Sequence, residues 1–411
     1  MHFPIDAVRA RFPALSRSHN GRPCVYFDAP GGTQICRDAI GRMVGHLESG
    51  TANAHGDFPT SRETDAISDE AHAAMADLLG GAPHEIAFGP NMTSLTLAVS
   101  RALARDWRAG DEIVLTRLDH DANVAPWLLA AEDRGVAVRW LDFDPATGRW
   151  TVDALAALLG PRTRLVALGA ASNALGTLNP IAEAVRTVRA GSDALVFVDA
   201  VQSVPHIVTD VAALGCDFLV CSPYKFFGPH QGVLWMRGTL ADQVRAYKVR
   251  PADDAGAHRF ETGTPSFEGQ AATLGTVEYL EWLGRTVDPH ANSRRARLVV
   301  AMDAIGSYER DLGERLLVGL ASVSGLKLWG PQTMDGRVPT FSFSLASHAP
   351  ADIERTLGDR GIFAWAGHFY AVEVIERLGL APAGLLRVGL CHYNTAEEVD
   401  RLIAELQAVA G

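Results

Sequence analysis

Between residues 85 and 235 the chain repeats one pattern, a short apolar run of strand length followed by a stretch with helical spacing. EIAFGP precedes TSLTLAVSRAL, and DEIVLTRLDH precedes ANVAPWLLAAEDRG; VAVRWLDFD, TRLVALGAASNALG, ALVFVDAVQSV, CDFLVCSPYK and GVLWMRG continue the series. Continuous β-branched runs separated by helices predict a mostly parallel sheet covered by helices on both faces. In such a sheet the functional residues lie at the carboxyl ends of the strands. The pattern changes near residue 270. QAATLGTVEYLEWLG and ANSRRARLVVAMDAIGSYERDLGERLLVGL read as long helices, and VPTFSFSLAS, GIFAWAGH and LLRVGLCHYN as a second set of strands. Thr395 and Glu398 have the spacing of a capping box and open a last helix. The organisation expected is an N-terminal segment (1–20) packing near the small domain, a large α/β domain (21–285) and a small C-terminal α+β domain (286–411).

Composition narrows the function. The 411 residues carry a formal net charge of -11, which opposes nucleic-acid binding, since phosphates need a positive field. No apolar run approaches the roughly 20 residues of a membrane helix, and MHFPIDAVRARFPAL lacks the pattern of a secretory leader. Five cysteines stand singly, without CxxC, as expected of a cytoplasmic protein with neither a disulfide framework nor a zinc site. The histidines show no ligand spacing such as HExxH, and no metal is expected.

The chemistry concentrates in LVFVDAVQSVPHIVTDVAALGCDFLVCSPYKFFGPHQG. Asp199 ends one strand-like run, and Lys225 follows the next. Both side chains are therefore expected at one edge of the sheet. A nucleophilic lysine needs partial desolvation, and Pro223, Tyr224, Phe226 and Phe227 supply apolar surroundings. An aspartate beside the nitrogen of a pyridine ring keeps it protonated, making the ring an electron sink.

Over nearly its whole length, from YFDAPGG to YNTAEEVDRL, the sequence resembles the cysteine desulfurases and selenocysteine lyases of the aminotransferase class V group. These are pyridoxal 5'-phosphate (PLP) enzymes of fold type I. Asp199, Ala200 and Gln202 match the family's D-x-x-Q block, and Ser222 and Lys225 its S-x-x-K block. The resemblance implies that Lys225 holds PLP as a Schiff base and that Asp199 pairs with the ring nitrogen. It assigns Gln202 to the ring hydroxyl and Ser222 to the phosphate. LDHDANVAPW is similar to the segment that stacks a histidine on the ring, here His120. FGPNMTSLTLAVS places Thr93 and the Met92 amide at the phosphate, where a helix N-terminus suits an anion. SNALGT puts Asn173 near the ring hydroxyl and the substrate, and RFETGTP puts Thr264 at the phosphate of a neighbouring subunit, implying a homodimer with shared sites. LLRVGLCHYNT puts Arg387 at the substrate carboxylate, a task suited to its fork of donors.

Two segments depart from the family. Desulfurases carry a mobile cysteine in G-H-H-C; this chain reads WAGHFYAVEV, with Tyr370 at the cysteine position and Trp365 where the family has arginine. Tyr224 stands where the family usually has histidine. Cys216, Cys221 and Cys391 have core-like contexts, and Cys24 and Cys36 lie near the N-terminal segment. His368, Phe369 and Tyr370 are expected to line the pocket, with Tyr370 as a proton-transfer group or a wall. The expectation is a PLP-dependent enzyme acting on an amino acid as a C–S or related lyase. Transamination, epimerisation and, more remotely, an inactive PLP-binding protein are the alternatives.

Overall fold

The computed structural model describes residues 3–241 and 243–411. Its large sheet has seven strands: β1 (Ile86–Gly89), β2 (Glu112–Thr116), β3 (Ala137–Leu141), β4 (Thr163–Gly169), β5 (Leu195–Asp199), β6 (Phe218–Cys221) and β7 (Gly232–Met236). Their spatial order is β1-β7-β6-β5-β4-β2-β3, and β7 alone runs against the others. The fold is thus the mixed α/β class with a mostly parallel sheet. The reason is visible in β5 and β6, whose runs LVFVD and FLVC are buried almost throughout. Strands covered on both faces carry apolar residues at every position rather than at alternate ones. One apolar cluster, with Val198 and Leu219, packs on one side of the sheet, and a second, with Phe197 and Phe218, on the other.

Helix α1 (Met92–Leu103) follows β1, and its start is fixed by Asn91, whose Oδ1 accepts the Ser94 N–H at 2.8 Å. Helices α2 (Phe267–Val287) and α3 (Arg294–Ala321) then carry the chain away from the sheet. A four-stranded antiparallel sheet follows, of β8 (Leu326–Trp329), β9 (Thr340–Leu345), β10 (Trp365–Gly367) and β11 (Leu385–Gly389), in the order β8-β9-β11-β10. Its core holds Phe341, Phe343, Leu386 and Val388 with Leu312 and Leu316 of α3. Helix α4 (Ala396–Ala410) closes the chain and begins in the expected capping box of Thr395 and Glu398.

The chain's beginning joins the small sheet's surroundings. Val25–Tyr26 pairs in parallel with Ile362–Phe363, and Asp28 bridges to Gly389. The turn at Pro30–Gly31 is thereby carried against the edge of the large sheet, where its carbonyls meet Lys225. Among the described residues, no helix is long and apolar enough to cross a membrane.

Candidate active site

The carboxyl ends of β2, β4, β5 and β6 converge on one cavity, lined by Met92, Thr93, Asp119, His120, Asn173, Asp199, Gln202, Ser222, Tyr224 and Lys225. Eight of the sequence-predicted site residues, all of these except Asp119 and Tyr224, are therefore brought together. Arg387 and His368–Tyr370 line a wider outer chamber that shares Thr93, His120, Asn173, Tyr224 and Lys225 with the inner one. Thr264 lines neither chamber of its own chain and sits on an exposed loop.

Each side chain is placed by a strand end. Asp199 closes β5, and its Oδ1 accepts the Val201 N–H at 2.9 Å. Burial pushes its carboxyl up to about 6, against the pull of that N–H and of the Lys225 charge. Ser222 follows β6 directly, and a turn of 3₁₀ helix delivers Lys225 three residues later. The Lys225 ammonium donates to the carbonyls of Pro30 at 2.5 Å and Gly31 at 2.9 Å. Desolvation, then the charge of Arg387, pull its pKa down to about 7, while Asp199 and Asp28 act in the opposite direction.

His120 follows β2, with its ring fixed by the Ala122 N–H, which donates to Nδ1 at 3.0 Å. In the neutral ring the proton therefore resides on Nε2. Desolvation, then the cations Lys225 and Arg387, lower its pKa to about 4, so the ring is neutral at pH 7. Beside it Asp119 is fully enclosed; its carboxylate accepts the Gly169 N–H at 2.9 Å and the Asn123 amide at 2.7 Å. Burial, reinforced by the charge of Asp199, raises the Asp119 pKa well above its ordinary value. Gly169 must be glycine here, because a Cβ would come within 2.6 Å of the Asp119 carboxylate.

Two polar atoms on the cavity wall are buried without a partner: Ser222 Oγ and Asn173 Oδ1. Buried polar atoms are nearly always paired, so these two point to a bound group. A phosphate ester and a ring hydroxyl satisfy them, Asp199 suits a pyridinium nitrogen, and the first turn of α1 presents its dipole to the phosphate. The residues present thus fit PLP.

Asn173 and Arg387 connect the two chambers. The Asn173 side-chain amide donates to the Phe369 carbonyl at 2.8 Å, and the Asn173 backbone carbonyl accepts from Arg387 at 2.9 Å. Arg387 is 4% exposed, its guanidinium lies 4.3 Å from the Phe369 ring centroid, and its Nε has no partner. Burial lowers its pKa to about 9. Phe369 and Tyr370 both take the left-handed conformation, with φ of 56° and 57°. Tyr370 is 67% exposed, and its ring stacks on that of His120 at 5.6 Å. All five cysteines are buried, and none lines either chamber among the described residues. Desolvation raises the thiols of Cys36 and Cys216 to about 12 and also pushes those of Cys221 and Cys391 well up.

Sequence reasoning passed over Asp28, Pro30, Gly31 and Asp119. Asp119 carried a signal, a second acid beside His120 at a strand end. Asp28 carried a weaker one, an acid closing the apolar run VYF before a proline-glycine turn. The two carbonyls that hold Lys225 carry none, because any residue supplies a carbonyl.

Known proteins match this architecture throughout. The family model for aminotransferase class-V matches residues 25–402. A cysteine desulfurase of Yersinia pestis (strain Pestoides F) is 33% identical over 426 residues, which span 100% of this chain and 99% of the relative. Among solved structures, a cysteine desulfurase from Thermococcus onnurineus NA1 superposes with a TM-score of 0.88 at 24% identity, covering 100% of this chain and 98% of the other. The cystine C–S lyase C-DES, solved with its reaction product cysteine persulfide, superposes with a TM-score of 0.77 at 22% identity over 96% and 99% of the two chains.

Proposed function

The chain belongs to the aminotransferase class-V family of PLP-dependent enzymes, and from that premise we propose that it is a carbon–sulfur lyase that releases sulfur without storing it on the protein. The observation that carries this reading is that all five thiols are buried and none lines either chamber among the described residues; the resemblance adds that Tyr370 stands at the cysteine position of the desulfurases. A persulfide carrier must be an accessible thiolate. A phenol, with an ordinary pKa of about 10, cannot hold sulfane sulfur. The same fold serves C–S cleavage in the cystine lyase C-DES.

With PLP bound, Lys225 would attach it and Asp199 would serve its ring nitrogen. Ser222, Thr93 and the Met92 amide would hold the phosphate, Asn173 and Gln202 the ring hydroxyl, and His120 would cover the ring. When bound, PLP supplies an electron sink conjugated to the substrate Cα. Arg387 receives the α-carboxylate through its free Nε. The freed Lys225 amine would take the Cα proton; with a pKa near 7 it is substantially neutral at physiological pH. His120 presents Nε2–H to the departing sulfur, and Tyr370 offers a second phenolic proton at the rim. The C–S electron pair leaves with sulfur, which takes the proton. Water then releases pyruvate and ammonia, with no net oxidation.

The test is to incubate the PLP-loaded enzyme with L-cysteine and S-substituted cysteines without reductant. Sulfide or free thiol should form in step with pyruvate, and intact mass should show no added sulfur. A protein-bound persulfide, lost when one cysteine is changed to serine, overturns the reading. A keto acid that retains the sulfur indicates transamination, and racemised substrate indicates epimerisation.

A further inference from the structure

In the small sheet, Trp365 of β10 is the direct cross-strand partner of Arg387 of β11. Opposed residues project from the same face with Cβ atoms about 5 Å apart. Trp365 and Arg387 therefore start from one face of the small sheet, and both line the outer chamber. The indole is not a loose surface side chain. Its Nε1 lies 2.4 Å from where a Cβ of Gly31 would be, so Gly31 is glycine to admit it. The Gly31 carbonyl in turn accepts from Lys225. One edge of Trp365 is thus seated on the turn that holds the reactive lysine, while 49% of the residue stays exposed toward the outer chamber.

The rest of that chamber matches it. Tyr224 stacks on His230 at 4.7 Å with 11° between the rings, and the Lys225 ammonium lies 4.9 Å from the Tyr224 centroid. Phe369 backs Arg387 on one side. Apart from Lys225, Arg387 is the only arginine or lysine lining the chamber among the described residues, and Asp121 its one carboxylate. Within this chain, a second substrate carboxylate would find no second arginine or lysine. An aromatic or bulky apolar group would find ring faces, whose desolvation and stacking contribute beyond area alone.

From this arrangement we infer that the outer chamber selects α-amino acids bearing an aromatic or bulky apolar group beyond Cβ, with Trp365 as the specificity-determining residue. Resting on the lyase reading above, the substrate class is an S-substituted L-cysteine with an aromatic or branched apolar substituent, in preference to free cysteine. The carboxylate on Arg387 then directs the substituent along the Trp365 indole.

Binding and turnover test this separately. Calorimetry on the PLP-loaded enzyme with 3-phenylpropionate, propionate and succinate, none of which carries an amine, reads the chamber without chemistry. 3-Phenylpropionate should bind at least about tenfold more tightly than propionate, the scale at which an apolar pocket discriminates. Trp365→Ala should abolish most of that ratio, and Trp365→Phe should retain most of it. Succinate binding as tightly as 3-phenylpropionate, or a ratio indifferent to Trp365→Ala, overturns the inference. S-benzyl-L-cysteine should also exceed L-cysteine in kcat/KM through a lower KM, with pyruvate as the readout. A preserved binding preference without pyruvate upholds the chamber and defeats the lyase reading. Pyruvate formed equally well from both substrates, without a binding preference, upholds the lyase and defeats the chamber.

Discussion

Lys225 is a nucleophile because of what surrounds it. An exposed lysine is an ammonium until about pH 10.4, whereas this one is 8% exposed and titrates near 7. The folded value lies below the ordinary one, so the neutral amine is present above about pH 7 and lost as pH falls through it. Covalent uptake of PLP by the apoprotein should therefore accelerate through about pH 7 and level off above it, followed by absorbance of the bound cofactor. A rise centred near 10 would show that the lysine is solvated. Arg387 supports a second expectation. A charge-assisted bidentate pair contributes about 1.5–3 kcal/mol, and about 1.4 kcal/mol is one factor of ten. Arg387→Ala should lower kcat/KM for amino acids by about one to two orders of magnitude while the bound-PLP spectrum persists. Lys225 could be picked out because it follows a recognisable apolar run, whereas Arg387, in the middle of β11, was picked out only through the resemblance of LLRVGLCHYNT. Their charge coupling was not legible, since it joins residues 162 positions apart through a cavity rather than along a strand.

The elements show where reading by pattern works. β5 and β6 announced themselves as continuous apolar runs ending in Asp199 and Ser222, and seven such runs led to the seven-stranded sheet. β8, LKLW, was not read, because four residues with exposed and half-buried positions carry little periodicity. The pairing of Val25–Tyr26 with Ile362–Phe363 was invisible as well. Two-residue strands have no period, and their register is set by the packing of Phe27 and Ile362 in the small core. Nor did the sequence announce that Phe369 and Tyr370 are both left-handed, a conformation costing roughly 1 kcal/mol or more for non-glycine residues. It is held by hydrogen bonds to both carbonyls, from the Asn173 amide to Phe369 and from the Asp121 N–H to Tyr370 at 2.7 Å. The α4 terminus, in contrast, was read directly from Thr395 and Glu398, and both halves of the box form. Thr395→Ala should cost about 1 kcal/mol. A lower urea midpoint at unchanged m-value would report it. An unchanged midpoint would mean that the packing of Val399, Leu402 and Leu406 alone holds the helix.

At the scale of the whole molecule, one predicted site residue is left without a place in its own chain. Thr264 is exposed, yet its loop is anchored two-fold at Glu261, which accepts from the Phe88 N–H at 2.7 Å and pairs with His72 at 2.7 Å. An anchored loop presenting a hydroxyl to solvent is what the resemblance requires of a residue serving a neighbouring site. Leu47, Phe58 and Leu129 are each at least half exposed, apolar area of the kind a second subunit covers. Light scattering should give about twice the 44.0 kDa chain mass. The decisive experiment mixes two inactive or weakened forms. Lys225→Ala removes cofactor attachment, and Thr264→Ala should weaken PLP binding by about tenfold, the worth of one hydrogen bond to a charged group. In a mixed dimer the two lesions meet in one site if Thr264 serves the partner subunit, and the other site is then intact. PLP affinity at that intact site should return to the wild-type value. If Thr264 acted within its own chain, every lysine-bearing site in the mixture would keep the weakened affinity, and a fully active monomer would remove the shared site altogether.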